Sequence, residues 1–98
     1  MQLYAILRRS AWADAGELGL AAERSTKVGN EDLPDDVKWI RTYVLNEADG
    51  RVGTVCIYQA TSPAALEKHA QLADLASDEI IPIGDTVIVR EDPVAANN

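Results

Sequence analysis

Apolar and polar positions alternate at the start of the chain, with Leu3, Ala5 and Leu7 set against Tyr4, Ile6 and Arg8. A period of two residues predicts a strand over 3–8 and a turn near Ser10. From Asp14 to about Val28 the period lengthens. Ala15, Leu18, Ala21, Ala22, Ser25 and Val28 fall on one face at helical spacing. Asp14 suits the N-cap, with Glu17 three residues on as in a capping box. Gly29-Asn30 is the stop signal, and an acidic loop from Glu31 to Asp36 follows.

Alternation returns between Val37 and Leu45. Trp39, Arg41, Tyr43 and Leu45 are expected to point one way, and Lys38, Ile40, Thr42 and Val44 the other. Asn46 to Gly50 carries the Asp-Gly chemistry of a hairpin. Arg51 to Ala60 is then a third strand, antiparallel to the second. Ser62 and Pro63 fit the N-cap and first position of a second helix. This helix is expected to run to about Leu75, with Ala65, Leu66, His69, Leu72, Ala73 and Ala76 on its buried stripe. A last strand is expected over Ile81 to Arg90. Pro82 and Gly84 near its start indicate an edge position, a bulge or a delayed start.

The order β-α-β-β-α-β predicts an α+β, ferredoxin-like fold: a four-stranded antiparallel sheet with two helices on one face. One domain spans 1–92, with 93–98 as a frayed tail. Several strands are apolar on both sides, and helices hide only one. An exposed second face would exceed the patch that monomers tolerate. A second copy covers it, which gives a homodimer of the dimeric α/β-barrel type with a cavity between the sheets.

Composition narrows the partners. The 98 residues carry a formal charge of −7 and a pI near 4.5. That balance disfavours nucleic acid and anionic membrane surfaces. No apolar run approaches the roughly 18–20 residues that span a bilayer. The start is too short and too alternating for a signal peptide. A single cysteine precludes an intrachain disulfide and fits a reducing compartment. The expectation is a cytoplasmic protein.

Chemistry is scarce. Cys56 and His69 are the sole cysteine and histidine, and they are the first candidates for a side-chain site for a divalent transition metal. His69 belongs to the buried stripe of the second helix. It is either a core histidine bonded to a backbone carbonyl or hydroxyl, or a ligand or proton carrier. Cys56 is a small core residue or a second ligand. Both faces of its strand are apolar, so two orientations stay open. With the face of Thr54, Cys56 and Tyr58 under the helices, Cys56 and His69 approach one another. With Val55 and Ile57 there instead, Cys56 looks into the dimer cavity. In that second case Tyr4, Arg8, Trp39, Arg41, Tyr43 and Tyr58 line one surface. Such a stripe suits an aromatic or anionic small molecule, and equally a dimer interface. The acidic loop has no EF-hand spacing. There is no phosphate cradle, HExxH, CxxC or GxSxG motif, and no catalytic residue is assigned.

The segment from Val37 to Ile83 resembles the small nickel-responsive proteins grouped as domain of unknown function 4242. Thr42-Tyr43-Val44, Cys56-Ile57-Tyr58-Gln59-Ala60, His69 and Leu75-Ala76-Ser77-Asp78-Glu79-Ile80 carry the likeness. Gln59, Ser62 and Asp74 depart from the pattern. The resemblance implies a ferredoxin-like dimer and, for some members, nickel binding, with Cys56, His69, Tyr43 and Tyr58 at matching positions. Two functions follow. One is a non-catalytic homodimer that binds nickel in a buffering or stress-responsive role. The alternative is a dimeric α/β-barrel small-molecule binder, or a monooxygenase- or isomerase-like enzyme, using the cavity between sheets.

Overall fold

A computed structural model describes residues 1–91. The elements run β1 (Gln2–Trp12), α1 (Ala15–Lys27), a π-helical turn (Val28–Asp32), β2 (Val37–Asn46), β3 (Val52–Ala60), α2 (Pro63–Ala73) and β4 (Glu79–Pro82). The strands form one antiparallel sheet in the order β2-β3-β1-β4. This α+β arrangement is consistent with the ferredoxin-like expectation. The expected tail at 93–98, and the end of the expected domain at 92, lie outside the described residues. No helix among the described residues is long and apolar enough to cross a membrane.

Local chemistry sets the helix ends. The Asp14 carboxylate accepts from Glu17 N at 2.9 Å, and the Glu17 carboxylate reaches back to Ala13 N at 2.8 Å. Two otherwise orphaned amides are thereby satisfied. Ser62 Oγ accepts from Ala65 N at 3.2 Å ahead of α2. That helix stops at Ala73, short of the expected Leu75, because Asp74 turns left-handed at φ 56°. Leu72 is consequently half exposed rather than on the buried stripe, and Ala76 lies beyond the helix. Leu66, His69, Ala70 and Ala73 take the inner face.

The sheet's two faces are now distinguishable. Tyr4, Ile6 and Arg8 stand opposite Tyr58, Cys56 and Thr54, and directly opposed residues share a face. All six are buried. The core gathers this face with Val28, Leu33, Leu66 and Ala73 from the helical layer. Cys56 therefore looks toward the helices. The opposite face of Leu3, Ala5, Leu7, Val55 and Ile57 is only half covered.

Two sequence expectations are corrected here. The strict alternation of β2 is broken by a bulge between Trp39 and Arg41. Trp39 pairs with Tyr58 on the helix side, whereas Arg41 and Tyr43 pair with Ile57 and Val55 on the open side. One surplus residue reverses every later side chain. The last strand is also shorter and earlier than expected. β4 pairs Glu79 to Pro82 with β1, and 83–91 carries no strand. Past Pro82 one more backbone bond to β1 forms, from Ile83 N to Leu3 O at 2.9 Å, before the pairing ends. The strand does lie at the sheet edge, as Pro82 indicated.

A second bulge, in β1 between Arg8 and Trp12, puts Ser10 at φ 48°. Glu47 seals it. Its carboxylate accepts from Ser10 N at 2.7 Å and from Arg9 Nε at 2.9 Å and Nη2 at 2.8 Å. Gly53 faces this knot. A Cβ there would sit 2.7 Å from Arg8 O and 3.0 Å from Ser10 N. Only glycine permits so close a backbone approach.

Candidate functional site

The chemistry-bearing side chains gather between the sheet and the helices. β3 contributes Thr54, Cys56 and Tyr58, β1 contributes Arg8, α1 contributes Ser25, and α2 contributes His69. Arg8, Tyr58 and His69 are each 1% exposed.

Ser25 joins the helices to the sheet. Its hydroxyl lies 3.0 Å from Tyr58 Oη and 3.2 Å from His69 Nε2. His69 Nε2 is also 3.2 Å from Ser25 O. A carbonyl only accepts, so Nε2 carries the proton and donates it to this oxygen. Nδ1 then holds a lone pair, and it is buried with no partner. Burial holds the His69 imidazole below its ordinary range; the Ser25 backbone opposes this and the Arg8 cation adds to it. Burial raises the Tyr58 phenol, which Ser25 and Arg8 partly counter. At neutral pH the cluster thus presents a neutral imidazole with one vacant acceptor atom.

The Tyr58 ring meets His69 edge-on, with centroids 5.4 Å apart. On its other side it stacks with Trp39 at 6.0 Å and an interplanar angle of 8°. Trp39 is steadied by its own Nε1, which donates to Thr42 Oγ1 at 2.7 Å. Beside this wall a cleft of about 460 Å³ opens, lined by Ser25, Asn30, Lys38, Trp39, Tyr58 and His69 among others. Gly29 and Asn30 of the π-helical turn form part of its rim. π-Helical turns are rare and recur at functional sites.

Cys56 has different company. Its sulfur accepts from Arg8 Nη1 at 3.3 Å and from Thr42 Oγ1 at 3.3 Å, and lies 3.5 Å from Thr54 Oγ1. The first of the two open orientations is the one adopted: Cys56 and His69 face the same side of the sheet. Tyr58, the next β3 residue on that face, is the one whose ring meets His69. Among the described residues no group of three or more His, Cys, Asp or Glu side chains converges.

The six-residue stripe divides. Tyr4, Arg8, Trp39 and Tyr58 stand on the helix side, and Arg41 and Tyr43 stand on the open side. The six therefore do not line one surface of a between-sheet cavity. Ser25 was legible only as an α1 face position. Its role as the joint of the cluster had no sequence signal, since a buried serine in a helix looks like any small residue.

No curated protein matches the chain. The crystal structure of SCO4226 from Streptomyces coelicolor A3(2) is similar with a TM-score of 0.69 at 16% identity, covering 87% of this chain and 99% of that one. At that identity the likeness concerns the fold. A family model described as nickel responsive protein SCO4226-like matches residues 4–83, a span that runs from within β1 to the end of β4 and takes in every residue of the cluster. The chain therefore belongs to the SCO4226-like family of nickel responsive proteins.

Proposed function

We propose that the chain binds a divalent transition metal, nickel above others, through His69 Nδ1, as a non-catalytic homodimer with a buffering or stress-responsive role. The observation that carries this reading is the buried, unpartnered Nδ1 of a histidine whose other nitrogen is already tied to Ser25 O. A backbone carbonyl on the far nitrogen orients the ring and fixes the tautomer that a metal ligand needs. Imidazole suits nickel, zinc and copper, and the family's name favours nickel.

The donor set fits such an ion in part. One imidazole nitrogen per subunit is ready, and water would supply the remaining ligands. Cys56 is the weaker candidate. Its sulfur touches the Arg8 guanidinium, and a fixed cation there repels a dication. The dimer reading draws support from the half-covered sheet face and from Tyr43 and Ile81, which stay 43% and 41% exposed on it. Calorimetric nickel titration of the wild type and of His69→Ala tests the proposal. At least a tenfold loss of affinity is expected, and equal affinities would remove His69 from any nickel site.

The cleft beside His69 favours a second reading, small-molecule binding on the helix side of each subunit. Its volume of about 460 Å³ falls within the size of ordinary ligand pockets. A screen of small aromatic acids by ligand-observed NMR separates the two readings, because this one expects saturable binding without metal.

A further inference from the structure

The nickel reading leaves one buried cation unexplained. Arg8 is 1% exposed. Its Nε donates to Ala76 O at 2.7 Å and its Nη1 to Cys56 Sγ at 3.3 Å. Nη2 is buried and meets no acceptor. No carboxylate among the described residues pairs with it; Glu47 is taken by Arg9. A guanidinium keeps its charge at any pH a folded protein meets. A carbonyl and a thiol bring no negative charge, and a cation buried without one is strongly disfavoured.

A small void lies against this side chain. It measures about 20 Å³, and its wall joins Arg8, Thr42, Thr54, Cys56, Tyr58 and Trp39 to apolar side chains of α1, Trp12 and Leu75. That is room for about one water-sized species. The hydrogen bonds at the wall say what kind. Thr42 Oγ1 accepts from Trp39 and gives its proton to Cys56. Thr54 Oγ1 accepts from the Cys56 thiol, so its own proton is free to donate. Arg8 Nη2 can only donate. The free groups, Arg8 Nη2 and the Thr54 hydroxyl, are donors; the Tyr58 oxygen at the wall is neutral and shared by Ser25 and Arg8, so the positive charge stays uncompensated. A water molecule would accept from both and leave the charge as it was. A small anion answers the hydrogen bonds and the charge together.

Access is also present. Trp39 walls both this void and the outer cleft, and it is 38% exposed. Rotation of the indole away from Thr42 would join the two spaces.

We propose that Arg8 anchors a buried site for one halide-sized monovalent anion, held between Arg8 Nη2 and the Thr54 hydroxyl, with Trp39 as its gate. Thermal unfolding of the wild type in chloride against gluconate, at matched ionic strength, tests this. Chloride should raise the midpoint saturably while the bulky gluconate does not, and Arg8→Met should lose that difference. Identical midpoints for the wild type in the two salts would overturn the proposal. A bromide-soaked crystal of the wild type gives a check that does not depend on the variant folding. An anomalous peak beside Arg8 supports the site. A water there without anomalous signal, or a peak seen only at soaking concentration with no salt effect in solution, counts against it.

Discussion

Arg8 and Arg9 are neighbours in the chain and opposites in their surroundings. Arg9 is exposed, and its guanidinium grips Glu47 with two nitrogens while that carboxylate also holds the bulged Ser10 amide. Arg9 Nε and Nη2, the Ser10 amide and both Glu47 oxygens bond within this knot, and Arg9 and Glu47 hold each other charged: Glu47 is drawn down from 4.5 to about 2 by the Arg9 hydrogen bond first and the Ser10 amide second. One residue earlier, Arg8 points to the interior, finds no carboxylate, and shares its neighbourhood with a second orphan, His69 Nδ1. Buried polar atoms are nearly always partnered. The contrast separates a part of the molecule built for shape from a part whose unmet bonding capacity has to be explained by something it binds.

The comparison is most sharply broken at Gly53. Gly53→Ala should cost about 2–3 kcal/mol in denaturant unfolding, since the new methyl meets the rigid Arg8 carbonyl. A loss below about 0.5 kcal/mol would show that the knot is looser than its contacts indicate. Tyr58→Phe should cost about 1 kcal/mol by leaving Ser25 with one partner fewer. Circular-dichroism melts are sufficient to see it.

Acid separates the two regions by pH. The native pKa of His69 lies below its ordinary 6.5, so the unfolded chain takes up the proton first and stability falls as pH drops below about 6.5. That loss ends once the native imidazole is protonated too. Glu47 acts lower: its contribution is complete above 4.5 and disappears as pH falls toward about 2. Stability measured against pH should therefore fall in two steps. His69→Asn should flatten the upper step and Glu47→Gln the lower one; a single step that survives both changes would contradict the assignment. The smallest effect is expected at Arg8. In gluconate, Arg8→Met should stay within about 1 kcal/mol of the wild type, because losing a buried unpaired charge offsets losing its hydrogen bonds. A loss of several kcal/mol would mean that Arg8 has an internal counter-charge after all.

Much of the scaffold was legible because its signals are local. Asp14 with Glu17, Ser62 with Pro63, and the Asp49-Gly50 turn act through bonds between residues a few positions apart. His69 was placed on the inner face for the same reason, by helical spacing alone. What escaped was set by the third dimension. Both faces of β3 are apolar, so no periodicity distinguishes the Cys56 side from the Val55 side. The bulge after Trp39 adds one residue without any marker in composition, and it sent Arg41 and Tyr43 to the far side from Trp39. Arginine is rarely buried, so the Leu3–Arg8 alternation showed which residues Arg8 stands with but not that its charge is enclosed. The early end of α2 came from Asp74 in a left-handed conformation, which aspartate adopts more readily than most residues but which its presence does not require.

The turn over Val28–Asp32 closes through Leu33 N to Val28 O at 3.0 Å, a span of five residues where an α-helix uses four. The rim of the cleft is thus built from a one-residue surplus. Loss of a single amino acid at Asn30 would return this stretch to ordinary helical pitch and draw the wall inward, while the sheet behind it stayed untouched. The aperture beside His69 is in this sense governed by chain length, and a one-codon change can reset it without rewriting any residue that does chemistry.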